Sequence, residues 1–127
     1  MSNTNNDEVI SKISSHTIKK FELIEKYVED WAYKMLNTQY CNGLVFMDCM
    51  CNSGEYTDDN GQQIIGTPIR VSKILRDVAG QYPRKQIHVY FNDMSSEKVE
   101  HLKQLVCKDK QNFHNHISCG DGNALLK

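Results

Sequence analysis

The segment Gly43–Tyr56, GLVFMDCMCNSGEY, runs from an apolar stretch into a loop that contains a glycine. Residues 43–49 are almost continuously apolar, which is typical of a strand buried on both faces of a parallel sheet. In the loop, Gly54 permits a sharp turn and a close approach of the backbone to a ligand. Asn52 is one of the few other residue types that tolerate a left-handed backbone. The segment therefore predicts a buried strand followed by a ligand-binding loop.

Three helices are predicted around this strand. Between residues 15 and 36, apolar side chains recur at three- and four-residue steps, as in an amphipathic helix. These side chains are Leu23, Ile24, Tyr27, Val28, Trp31 and Met35. A second helix is predicted to have Thr67 as its N-cap, Pro68 as its first residue and Gly80 just past its end. Ser95 is predicted to cap the third helix.

Two further strands and a hairpin complete the pattern. The stretches QIHVYFND (residues 86–93) and FHNHISC (residues 113–119) have the apolar and β-branched content of strands. Between the first loop and the second helix, Asn60-Gly61 is a strong signal for a hairpin turn. Helices separate the three main strands along the chain, and this alternation favours a parallel sheet.

We therefore predict an α/β, Rossmann-like domain over residues 15–127. It consists of a partial parallel sheet of about three strands with helices on both faces, preceded by an N-terminal helix. Residues 1–14 are polar and are predicted to form a disordered tail. The last residues, GDGNALLK (120–127), are predicted to begin another helix.

Composition narrows the class of protein. The 127 residues are 39% hydrophobic and carry a formal net charge of -1, which is typical of one globular domain and lacks the basic footprint of a nucleic-acid-binding protein. No stretch approaches the roughly 18 apolar residues of a membrane helix. The polar, acidic start is unlike a signal or transit peptide. The odd set of cysteines predicts reduced thiols in the cytoplasm: Cys41, Cys49, Cys51, Cys107 and Cys119.

Polar residues follow each of the three predicted strands. Open α/β sheets bind ligands at the carboxyl ends of their strands, so these residues are candidates for one site. Asp93 is placed to accept hydrogen bonds from ribose hydroxyls, as acidic residues do in dinucleotide folds. Asp121 is placed to accept from an adenine amino group or to shape the pocket wall. The separation of Gly54 and Asp93 exceeds the usual spacing of about 20 residues, and the predicted hairpin accounts for the excess.

Five segments together resemble the N-terminal half of the three-Cys-motif partner (TcmP) family. They are IKKFELIEKYVEDWAYKML, VFMDCMCNSGEY, GTPIRVSKIL, VYFND and GDGNALL, and they span nearly the whole chain from about residue 15. The most specific matches are Tyr27 with Trp31, the loop from Asp48 to Gly54-Glu55-Tyr56, and Gly66-Thr67-Pro68.

This family resembles the class I S-adenosylmethionine-dependent methyltransferases. The resemblance implies a methyltransferase-like domain that binds S-adenosylmethionine and transfers its methyl group to an unidentified acceptor, with nucleic acid among the candidates. It implies that Asp48, Asn52, Ser53 and Gly54 lie on the cofactor loop, Asp93 at the ribose and Asp121 near the adenine. Asn52 stands where the family has a glycine, and no catalytic residue is indicated.

The resemblance also implies an incomplete sheet, because the family's later strand end, which resembles Asp-Pro-Phe, has no counterpart here. An open sheet edge tends to pair with another chain. We therefore expect self-association or a partner chain that completes the sheet. The alternative function is a non-catalytic interaction or partner module with a degenerate methyltransferase fold.

The cysteines near the loop and the histidines of the last predicted strand raise two further possibilities, a metal site and a cysteine nucleophile. Cys49 and Cys51, with His114, His116 and Cys119, are soft ligands suitable for zinc. However, a C-x-C on a strand differs from the C-x2-4-C turns of zinc knuckles, so buried thiols are favoured and no metal site is predicted. A cysteine nucleophile at this loop has no neighbouring histidine base in the sequence. Tyr27 and Trp31 are predicted to be core or domain-packing residues rather than a platform for stacking bases.

Overall fold

The computed structural model describes residues 10–121. A short strand and a helix precede the first long strand, two short strands follow it, and two helix–strand units come after them. In chain order the elements are β1 (Ser11–Lys12), α1 (Ser15–Leu36), β2 (Gly43–Asp48), β3 (Glu55–Thr57), β4 (Gln63–Ile65), α2 (Thr67–Gln81), β5 (Gln86–Asp93), α3 (Ser96–Leu105) and β6 (Phe113–Cys119). Within this range no helix is both long and apolar enough to cross a membrane.

The main sheet has the strand order β2-β5-β6, and both of its strand pairs are parallel. Gly43 pairs with Gln86 at one end of the β2–β5 ladder, and Asp48 pairs with Phe91 at the other. Asp93 pairs with Cys119 at the end of the β5–β6 ladder. The predicted class is confirmed: a Rossmann-like α/β fold with a partial parallel sheet of three strands and an N-terminal helix.

The described helices differ from the prediction in one respect, because all three pack against the same face of the sheet. The chain steps from β2 to β5 to β6 in one direction, and two right-handed crossovers in one direction put both helices on one side. Buried residues of all three strands and all three helices form a single core on this side. They include Leu44, Ile87, Val89, Phe91 and Phe113 of the strands and Val28, Leu75 and Leu102 of the helices.

The opposite face of the sheet carries no helix within residues 10–121. Its side chains alternate along the strands with those of the core, as the two-residue period of a strand requires. The exposed fraction is 55% for Val45 and 40% for Met47, both on β2. We call this surface the bare face; it also includes Tyr90, His88, His114 and His116.

The helix α1 begins and ends where the sequence predicts, but its buried stripe is different. Val28, Ala32 and Leu36 are buried, at i, i+4 and i+8, and the small Ala32 lets α1 lie close to α2. Of the two predicted roles of Tyr27, the core position is wrong, since that side chain is 72% exposed; packing against another domain stays a prediction. Trp31 is half-buried against the core.

A second, smaller sheet is built on the predicted hairpin. β3 and β4 are antiparallel, and Gly61 in their turn has a φ of 79°. β1 pairs in parallel with β3, and its Ser11 lies opposite Tyr56. The prediction of a disordered tail is therefore wrong for residues 11 and 12, because their backbone groups find a strand partner. Residues 1–9, and the predicted final helix at 122–127, lie outside the described residues.

The start of α2 is shifted by one residue from the prediction. Gly66 is the N-cap, and Thr67 is the first helical residue. A Cβ on Gly66 would lie 2.5 Å from the Tyr56 ring, so this position requires glycine. The backbone N–H of Gly66 donates to the carbonyl of Gly54 (2.9 Å), which ties the helix start to the loop after β2.

Candidate functional site

The loop after β2 makes a left-handed turn at two positions. Asn52 has a φ of 64° and Gly54 a φ of 83°. Asn52 therefore adopts the conformation that its residue type was expected to tolerate. A Cβ on Gly54 would lie 2.8 Å from Leu102 Cδ1 and 2.9 Å from Ile69 Cγ1, so this glycine is required by helix packing as well as by φ. The loop thus reaches from the sheet edge to the start of α2 and to the side of α3.

A hydrogen bond joins this loop to the end of β5. The backbone N–H of Asn52 donates to Asp93 Oδ2 at 2.9 Å, and the N–H of Ser95 donates to Asp93 Oδ1 at 3.0 Å. Both donors hold the carboxylate in one orientation at the carboxyl edge of the sheet. Each carboxylate oxygen has a second lone-pair site, so Asp93 retains the capacity to accept from ligand hydroxyls.

Asn92, which was not predicted as a site residue, organises the three strand ends. Its side chain is 2% exposed, and its amide donates to the carbonyls of Cys49 (3.1 Å) and Gly120 (3.0 Å). Its Oδ1 accepts from the Ser118 hydroxyl at 2.9 Å. The available signal was an amide one residue before the end of a strand, because a buried amide must find partners for all of its polar atoms.

Two carboxylates and two weak acids give the site its electrostatic character. Burial raises the pKa of Asp48; the Met50 N–H, which donates to its Oδ1 at 3.1 Å, opposes this shift, and the nearby Asp93 adds to it. Burial, with a further contribution from Asp48 and Asp93, raises the pKa of the Cys51 thiol to about 12. The site is an electronegative, partly desolvated edge that favours a cationic ligand or one rich in hydroxyl groups.

Tyr56 belongs to the same group of side chains. Burial raises the pKa of its hydroxyl, the Asn52 side chain acts in the opposite direction, and the negative charges of Asp48 and Asp93 raise it further. The hydroxyl is therefore protonated at neutral pH and can donate a hydrogen bond, but it is a poor general base. The ring packs against Phe21, with centroids 5.3 Å apart.

The remaining predicted residues have different roles. Ser53 is fully buried; its hydroxyl donates to the carbonyl of Glu55 (3.0 Å) and its N–H donates to Asn52 Oδ1 (3.1 Å). Ser53 therefore shapes the turn through its own hydrogen bonds. Asp121 is exposed and directly follows Gly120, whose N–H donates to the carbonyl of Asp93 at 3.0 Å. The structure thus brings Asp48, Asn52 and Asp93 together and places Asp121 beyond the neighbouring strand end.

The candidate metal ligands lie in different parts of the structure. Cys49 and Cys51 follow β2, whereas His114 and His116 lie on the bare face next to His88. His88 Nδ1 and His116 Nε2 are 2.9 Å apart. Within residues 10–121, no group of three or more His, Cys, Asp or Glu side chains is positioned to hold a metal ion.

A histidine–carboxylate pair links residues of β3 and α3. His101 Nε2 of α3 and Glu55 Oε1 of β3 are 2.6 Å apart, and their side chains are 24% and 16% exposed. An open groove of about 510 Å³ adjoins His101. The pair joins the small sheet to α3, and the sequence carried no signal for it because its members are 46 residues apart.

Comparison with protein-family models, curated proteins and solved structures finds no match to this chain.

Proposed function

We propose that this chain is an S-adenosylmethionine-dependent methyltransferase-like domain of the three-Cys-motif partner type, acting in the cytoplasm. The observation that carries the proposal is the 2.9 Å hydrogen bond from Asn52 N–H to Asp93 Oδ2. It joins a glycine-containing loop and an acidic strand end at the carboxyl edge of a parallel sheet, where such folds bind cofactors. The five cysteines are all free thiols, which fits a reducing compartment.

The residues present fit the chemistry of this cofactor. Asp93 has accepting capacity for ribose hydroxyls, and Asp121 is exposed beyond the next strand for the adenine side. Asp48 and Asp93 together favour the positive charge of a sulfonium ion over a neutral ligand. Bound S-adenosylmethionine would supply the electrophilic methyl group.

The described residues contribute positioning rather than a base in this proposal. Alkyl transfer from a cofactor can proceed by alignment of the two reactants, so proximity supplies most of the rate enhancement. Tyr56, protonated at neutral pH by its raised pKa, can orient an acceptor through its hydroxyl. The acceptor is unidentified, and nucleic acid is a candidate through the family resemblance alone.

Calorimetry of the 127-residue chain with S-adenosylmethionine and S-adenosylhomocysteine tests the proposal. We expect binding that Asp93→Asn weakens about tenfold or more, since hydrogen bonds to a charged acceptor are worth about 1.5–3 kcal/mol. Asp59→Asn, in the exposed hairpin turn, is the matched control and should bind normally. Circular dichroism must show that Asp93→Asn is folded, because Asp93 also holds the loop. The absence of heat and of a thermal shift at millimolar ligand would exclude cofactor binding by this chain.

A second candidate function is a non-catalytic interaction module, alone or with a partner chain that completes the sheet. The bare face favours it, as does the edge of β2 that no strand of residues 10–121 pairs with, since both leave apolar side chains such as Val45 and Met47 exposed. Association without cofactor binding would support this function over the first.

A further inference from the structure

Among residues 10–121, no strand pairs with the outer edge of β2. β2 is the terminal strand of the β2-β5-β6 sheet, and Asn42 C=O accepts from Gln86 N–H on the β5 side. Backbone groups of alternate residues in a strand point to opposite edges, so those of Gly43, Val45 and Met47 point outward. Cys41 Sγ donates to the carbonyl of Gly43. The outward groups of Val45 and Met47 have no protein partner within residues 10–121.

In the described part of the chain, this edge lacks the features that usually prevent strand addition. Natural edge strands are protected by lysine, proline, a bulge or a covering element. β2 reads Gly-Leu-Val-Phe-Met-Asp, and its one charge is at the last residue, Asp48. A groove of about 260 Å³ runs beside the strand and is lined by Tyr27, Val28, Trp31, Val45, Phe46 and Met47. An added strand would therefore find apolar contacts as well as backbone partners.

We infer that this edge is a homodimer interface, in which β2 pairs antiparallel with β2 of a second copy to form one continuous six-stranded sheet. In the register that joins outward-pointing groups, Val45 lies opposite Val45 of the second copy and Gly43 opposite its Met47. The two-fold axis then passes through Val45. Such an isologous contact uses the same surface twice and closes on itself.

Charge complementarity identifies the occupant as a second copy. Asp30 and Lys34 are exposed on α1, one turn apart, and flank Tyr27 and Trp31. Asp30 Oδ1 also lies 3.3 Å from Lys26 Nζ of the same helix, an exposed pair that contributes little to stability. In the proposed dimer the two-fold axis reverses the direction of the second α1 and brings Asp30 of each copy towards Lys34 of the other. The same helix face thus supplies both signs, which a two-fold contact requires. This inference is independent of cofactor binding.

Sedimentation velocity over a range of protein concentrations tests the interface. We expect a monomer–dimer equilibrium that Val45→Lys weakens about tenfold or more, because a lysine at the axis places two like charges together. Met94→Lys is the control: Met94 is also an exposed apolar residue, but it follows β5. Thermal unfolding must show that both variants are folded.

A charge reversal distinguishes a second copy from other occupants. Asp30→Lys should weaken the dimer, and the double variant Asp30→Lys with Lys34→Asp should restore it. A monomer at every concentration, or a dimer that Val45→Lys leaves intact, would overturn the inference. Failure of the double variant to restore association would exclude the two-fold pairing of α1. Cofactor calorimetry on Val45→Lys keeps this outcome separate from failure of the proposed function.

Discussion

The two faces of the central strand β5 differ in how far their side chains are buried. On the covered face, Ile87, Val89 and Phe91 are fully buried against helices. Tyr90, between Val89 and Phe91 in the sequence, points to the bare face and is half-buried. Its ring stacks on that of His116 with centroids 4.3 Å apart. Adjacent residues of one strand thus experience a packed core and an accessible surface.

This difference separates what stabilises the domain from what is available for contacts. Burial of apolar area against the helices is the main favourable term in folding, and it is concentrated on one face. The bare face contributes rings that stack on each other but exclude little water. We therefore expect substitutions to divide by face, even between neighbours in the sequence.

Replacing neighbouring aromatic residues on the two faces by alanine should give the largest difference in the free energy of unfolding. Phe91→Ala should lower the free energy of unfolding by about 3–5 kcal/mol, because it leaves a cavity in the core. Tyr90→Ala should cost about 1 kcal/mol or less, since its ring is partly solvated and its loss creates no cavity. Urea denaturation at one protein concentration measures both. Equal losses would mean that the bare face is covered in solution.

Asn92 tests whether a polar residue can be as important as a core residue at the end of the bare face. Asn92→Leu should destabilise the fold by roughly 1–3 kcal/mol, because the carbonyls of Cys49 and Gly120 lose their donor. Ser118→Ala removes one donor to the same amide and should cost less. An unchanged urea midpoint for Asn92→Leu would show that water replaces these contacts.

Two glycine substitutions separate backbone strain from core packing at the site. Gly54→Ala combines a positive φ with a clash against Leu102 and Ile69, whereas Gly61→Ala at a similar φ meets nothing within 4 Å. Gly61→Ala should cost about 1–2 kcal/mol, and Gly54→Ala should exceed it by about 1 kcal/mol or more. The difference between the two urea midpoints isolates the packing component. Equal costs would mean that α2 and α3 yield to the new methyl group.

The smallest expected effect is the pH dependence of stability that arises from the histidines of the bare face. Partial burial lowers the pKa of His88, and repulsion from His114 and His116 lowers it further. The unfolded chain then binds more protons than the folded one, so this stability is present at neutral pH and is lost as pH falls through 6.5 and below. His88→Gln should reduce the change of the urea midpoint between pH 7.5 and 5, whereas His16→Gln on α1 should leave that change as it is. Identical profiles for both variants would contradict this origin.

Local patterns predicted much of the fold. The bounds of α1, β5 and β6, and the hairpin at Asn60-Gly61, follow from periodicity and turn chemistry that act within a few residues. The left-handed backbone of Asn52 was likewise predictable from its residue type. By contrast, the exposure of Tyr27 could not be predicted from the sequence. The helix α1 has apolar residues on adjacent stripes, and the pattern does not indicate which stripe packs against α2 and the sheet.

The sequence by itself determined the order of helices and strands, the parallel class of the sheet and the presence of acidic residues after β2 and β5. Tertiary structure decided that all described helices lie on one face, that Asn92 joins three strand ends, and that Glu55 meets His101. The physical reason is range: helix and strand propensity act between near neighbours, whereas a buried amide or an open edge depends on groups about 30 to 50 residues apart that only the packed core brings together.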